Sequence, residues 1–202
     1  MDEKLQLLHR GLLVEYASLA WMIIESLVAV GAGVSSGSLA LLAFGGDSFI
    51  ELASSYTVAD YLRRVTKAEK SESERAEGVT KITTALLFIL IPVIGLGALY
   101  TYLSGLQAEA SPLGIAVSLG AVVLMPALWY EKKRIGKAAD CLPLTIDAVE
   151  SETCFLMSIT LLASLLVNYF WKIWWVDYVA TIIILAFVAK EALESLSEAK
   201  EP

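Results

Sequence analysis

Apolar residues gather in six long blocks, at about residues 12–32, 39–61, 82–104, 112–130, 144–168 and 175–194, with short polar joints between them. A helix needs about 20 residues to cross the hydrocarbon core of a bilayer, so each block is long enough to span. The pattern predicts an all-α polytopic membrane protein with six transmembrane helices in a single transmembrane domain over residues 1–202. The opening "MDEKLQLLHR" contains two acids and makes a poor n-region for a signal peptide. The second block follows the first almost at once, so the first block is read as a retained helix.

Composition strengthens this picture. Of 202 residues, 57% are hydrophobic and 18% charged, against about a quarter charged in an ordinary soluble domain, and mean hydropathy is +0.67. Charge then gives an orientation. Lys4 and Arg10, the bases from Arg63 to Lys81, those from Lys132 to Lys137, and Lys190 and Lys200 all fall on one side of the predicted bundle. Only Lys172 falls on the other. By the positive-inside rule both termini are cytoplasmic, and the plasma (inner) membrane is the expected location. The net charge of −7 argues against nucleic acid as a partner. Tyr169, Trp171, Trp174, Trp175 and Tyr178 fit an aromatic belt at the outer interface. The outer joints are too short to fold separately. The inner joint "RRVTKAEKSESERAEGVTK" reads as a solvated extension of helices 2 and 3. Helix 6 is expected to end near Glu194, which places the function inside the bilayer or at its faces.

Against this background the stretch "SLALLAFGGDSFIELASS" is unusual, because it carries Asp47 and Glu51. At 1.5 Å per residue the two acids lie about 12 and 18 Å into helix 2, near the midplane, where a charge costs about 2.5–3.5 kcal/mol on insertion scales. The i, i+4 spacing puts both on one face, and adjacent carboxylates repel. They are tolerable with a proton or a cation between them, or as two protonated acids hydrogen-bonded to neighbouring helices. Helix 5, "LPLTIDAVESETCFLMSITLLASLLV", supplies a counterpart. Pro143 suits its start, and Glu150 and Cys154 are again i, i+4. Two facing pairs can make a four-ligand cation site of Asp47, Glu51, Glu150 and Cys154. Carboxylate with thiolate in tetrahedral coordination suits zinc, with iron, manganese and cadmium as further options. Asp147 reads as a ligand at the mouth of the site, a helix-start acid, or a partner for Lys132, Lys133 or Arg134. Glu152 lies on a different face.

Glu25, in the middle of helix 1, is a fifth ligand or proton relay on one reading. On the other it is a protonated acid bonded to a serine of a neighbouring helix. Glu15 lies near the inner face, where it could pair with Arg10 or with a base of another inner joint. Cys141 and Cys154 are thirteen residues apart, about 20 Å along a helix, too far for a disulfide. His9 is the single histidine and precedes helix 1. Gly45 and Gly46 permit close helix approach beside Asp47. No phosphate-binding loop, haem motif or nucleophile with a base is apparent, so no enzyme activity or catalytic cofactor is expected.

The acid-xxx-acid pair in "GDSFIE", the segment "IDAVESETCF" and the six-helix frame resemble the membrane domain of the cation diffusion facilitator family, over nearly the whole chain. The resemblance implies a divalent metal/proton antiporter, a homodimer and alternating access. It places the family's helix 2 ligands on Asp47 and Glu51, its helix 5 histidine on Glu150 and its helix 5 aspartate on Cys154. An acid for a histidine and a thiol for an aspartate bear on metal preference. The chain resembles a short form lacking the family's soluble C-terminal domain. It also resembles the animal transmembrane protein 163 group, through Glu15, Tyr16, Trp21 and Glu25 in helix 1 and Asp147 and Glu150 in helix 5. A non-transporting membrane metal sensor or assembly protein on the same frame is the alternative function.

Overall fold

The computed structural model describes residues 2–67 and 73–198. Those residues form six α-helices and no strand: α1 (Asp2–Ser36), α2 (Leu39–Thr66), α3 (Ser73–Leu103), α4 (Pro112–Ala138), α5 (Leu142–Trp171) and α6 (Val176–Glu198). Each covers one of the apolar blocks to within a residue and overruns it into at least one polar joint. The inner joint after block two is helical through Arg63 and Arg64 and again from Ser73; residues 68–72 lie outside the described residues.

Among the described residues, four helices are long and apolar enough to cross a membrane: α1 over Lys4–Ser36, α3 over Thr84–Leu103, α4 and α5. The other two match them in length, at 28 and 23 residues, but carry charged residues within the apolar run. Asp47 and Glu51 interrupt α2; Asp177, Lys190 and Glu191 interrupt α6. Many large apolar side chains face outward, among them Leu27, Val34, Leu96, Val123 and Ile182. An outward apolar shell around buried acids inverts the usual soluble arrangement.

Short turns make sequential helices neighbours. Gly37, at φ +67°, ends α1 in the left-handed conformation that glycine adopts freely. The Ser38 N–H then bonds to the Gly33 carbonyl at 3.1 Å, the six-to-one bond of a Schellman motif. Ser38 is also the N-cap of α2, its hydroxyl accepting from the Leu41 N–H at 3.2 Å. The same hydroxyl donates to Asp177 Oδ1 at 2.5 Å, while Asp177 Oδ2 accepts from the Leu39 N–H at 3.0 Å. A carboxylate on a helix N-terminus satisfies orphan donors and complements the dipole. Asp177 thereby sets the first turn of α6 level with the first turn of α2.

The core helices pack as α1 on α2 and α4, α4 on α5, and α2 on α5. The helices α3 and α6 pack on each other and on α2, with α6 also against α5. At Gly45 an added Cβ would lie 2.9 Å from the backbone nitrogen of Val30, so α1 and α2 meet backbone to backbone just outside the level of Asp47. Met22, Phe44, Leu87, Met125, Met157 and Ile184 belong to one apolar core contributed by all six helices.

Candidate metal centre

Asp47 and Glu51 are buried on the same face of α2. Neither oxygen of Asp47 has a hydrogen-bond partner, and Glu51 Oε1 has none. Buried polar atoms are nearly always paired, because an unpaired one forfeits its hydration for nothing. Carboxylate oxygens without partners on two adjacent turns leave room for a proton or a cation between them. The third member of the cluster comes from α6: oxygen atoms of Asp47, Glu51 and Glu191 all lie within 4.8 Å of one another. Glu191 Oε2 is likewise buried and unpartnered.

Glu150 of α5 lies within electrostatic reach of Asp47 and Glu51. Its Oε1 accepts from the Ser54 hydroxyl at 3.0 Å, and its Oε2 is buried without a partner. Cys154 is fully buried, but its thiol donates to Glu25 Oε1 at 3.4 Å. Glu25 is well satisfied: the same oxygen accepts from Ser48 at 2.7 Å and the other from the Trp21 indole N–H. That indole ring packs directly on Gly120 of α4. Of the four residues in the expected ligand pairs, Asp47 and Glu51 stand together with free oxygens. Glu150 borders them, and Cys154 is engaged with Glu25.

Asp147 and Glu15 belong to a second network of bonds, centred on Lys132. The Lys132 ammonium, fully buried on α4, pairs with Asp147 and lies 3.4 Å from Glu15 Oε2. Lys132 also donates to Ser18 at 3.0 Å, and Ser55 donates to Asp147 at 2.9 Å. Of the three roles open to Asp147 in the sequence, it takes that of a partner to Lys132 here. Lys132 appears in the sequence as an inner-joint base, but it sits inside the bundle, held by two acids. Both cysteines are free, and Cys141 is the N-cap residue of α5.

The residue that sequence reading did not single out is Glu191. It lies in "AKEALESLSE" at the polar end of α6, where acids and bases ordinarily mark a helix leaving the bilayer. Its signal is one of register. With Asp177 level with the start of α2, Glu191 lies about 21 Å along α6 and Glu51 about 18 Å along α2.

The transmembrane domain of the cation efflux family matches residues 16–201 of the chain. No curated protein matches it significantly. With that match over most of the chain, the protein belongs to the cation efflux family of divalent-cation transporters.

Proposed function

We propose that the protein is a divalent metal/proton antiporter of the plasma (inner) membrane, exporting zinc, manganese, iron or a similar ion. All six helices span the bilayer and both termini face the cytoplasm. Asp47 and Glu51 are the primary ligands, with Glu150 next in reach. Cys154 reaches the ion only by giving up its bond to Glu25. The observation that carries this reading is the set of unpartnered buried oxygens on Asp47 and Glu51. A divalent cation supplies what those oxygens lack, and carboxylates hold hard cations.

Antiport follows from competition for the same oxygens. A carboxylate must be ionised to ligate a metal, so binding displaces protons and protons displace metal. Metal loaded from one face and protons from the other then exchange in opposite directions. Ordering α2 and α6 at one level through Asp177 supports alternating access by movement of one helix layer against another, as the family resemblance implies.

The reading is tested by titrating the purified protein with zinc and manganese in calorimetric buffers of different ionisation enthalpy. Binding should release protons and weaken as the pH is lowered. Asp47→Ala and Glu51→Ala should each lose binding. Binding without proton release would remove antiport, and full binding by both variants would remove the site. A protein that binds metal but moves none in vesicles would be the sensor of the alternative reading.

A further inference from the structure

The carboxylate from α6 has no counterpart in a site built from α2 and α5 alone. We propose that Glu191 is a cation ligand, and that Asp47, Glu51 and Glu191 form an all-carboxylate site preferring hard and borderline cations, manganese above cadmium. The inference rests on the reading that this cluster carries the transported ion, and adds to it a third ligand and an ion class.

Three observations support it. The oxygens of the three residues lie within 4.8 Å of one another, a separation that one ion can bridge at carboxylate–metal distances of about 2.0–2.6 Å. Asp47 is fully buried with both oxygens unpartnered, and Glu191 Oε2 is buried and unpartnered beside it. The bland alternative is a helix-end acid paired with the neighbouring base. Here Lys190 instead reaches Glu194, at 3.6 Å.

The donor chemistry sets the preference. Carboxylate oxygen suits magnesium, calcium and manganese, whereas thiolate selects softer ions. The Cys154 thiol, the soft donor of the expected ligand pairs, is turned to Glu25. Glu25 is itself fixed by Ser48 and Trp21, and Glu150 is tied through one oxygen to Ser54. The oxygens left free to meet an ion come from two helices, α2 and α6, with Glu150 Oε2 at the border.

The test uses the whole protein in lipid nanodiscs. Manganese binding is read from loss of the free-ion electron paramagnetic resonance signal, and cadmium from competition. Glu191→Gln removes the charge with little change of shape and should weaken manganese binding by about tenfold or more. Glu191→Cys replaces oxygen by sulfur and should shift preference toward cadmium by about tenfold, a gain that an unfolded protein cannot imitate. Asp47→Ala should lose both ions. With Asp47→Ala inactive, manganese affinity unchanged in Glu191→Gln, or no shift toward cadmium in Glu191→Cys, overturns the role of Glu191 alone. If Glu191→Gln fails to fold, the Glu191→Cys preference decides. Intact binding by Asp47→Ala would instead overturn the underlying site.

Discussion

The buried carboxylates of this bundle differ in what meets them: Glu15 has no hydrogen-bond partner on either oxygen but lies 3.4 Å from the Lys132 ammonium. Glu25 has partners on both oxygens, and Asp147 is held by Lys132 and Ser55. Asp47 has none on either oxygen. Partnered acids such as Glu25 and Asp147 hold helices together, and Asp47 is the acid we propose meets the ion. The Lys132 network gives a stability prediction. Removing one partner of a buried ion pair costs about 3–5 kcal/mol, because the remaining charge stays buried and uncompensated. Lys132→Ala should therefore sharply lower the thermal unfolding midpoint in detergent. Adding Glu15→Gln and Asp147→Asn to Lys132→Ala should recover a large part of the loss. Asp147→Asn should destabilise the fold yet leave metal affinity within about twofold once folded, the reverse of Asp47→Ala. Cys154→Ser should leave manganese affinity similarly unchanged. Isothermal titration beside thermal unfolding separates the two groups. Outside the spans, burial pushes the Cys141 thiol up. The reactive species is the thiolate, so Cys141 should alkylate slowly at neutral pH and faster as the pH rises. Rapid labelling by iodoacetamide at pH 7 would contradict its burial at the head of α5.

At the scale of elements, the six helices were legible because length and apolarity suffice to mark them, and the i, i+4 pair in α2 was legible because a period of 3.6 puts Asp47 and Glu51 on one face. Their joint exposure to α6 was not legible. That depends on Asp177 capping the start of α2 across a gap of 138 residues in sequence to Leu39, a contact that no local pattern announces. Glu191 was hidden for the same reason, since Lys190 and Glu194 around it resemble a helix end at the headgroups. For Asp147 the right partner was among the candidates, but choosing Lys132 over Lys133 or Arg134 needed the packing of α4 on α5. The α2–α6 junction also makes a prediction. Ser38→Ala removes the cap bond, worth about 1 kcal/mol, and the hydroxyl's bond to Asp177 Oδ1, but leaves Asp177 on the backbone N–H of Leu39. Asp177→Ala strands the hydroxyl and backbone donors it serves and frees the register of α6. Asp177→Ala should thus lower the unfolding midpoint more than Ser38→Ala, and should also weaken metal binding by letting Glu191 slip from Glu51. Equal midpoints and unchanged binding would contradict the registering role of Asp177.

For the whole molecule, an apolar exterior with acids buried among the helices suits a protein that handles cations in a bilayer, and belonging to the cation efflux family gives the cargo class. Topology is checked by adding single cysteines to a background in which both native thiols are buried. Gln107→Cys, in the α3–α4 turn, should label from outside the cell, and Lys67→Cys, at the end of α2, should not; the reverse pattern would invert the orientation. The resemblance to the family also leads us to expect a homodimer in mild detergent, which mass measurement over a range of protein concentrations checks. The central claim is that the buried α2 pair carries a divalent cation across the membrane in exchange for protons. It is tested most directly in sealed liposomes holding a metal-sensitive dye, with manganese or zinc outside and an acidic interior. Wild-type protein should admit metal at a rate that falls when the pH gradient is collapsed, and Asp47→Ala should match protein-free vesicles. Metal entry by Asp47→Ala at the wild-type rate, or wild-type entry indifferent to the proton gradient, would contradict the account.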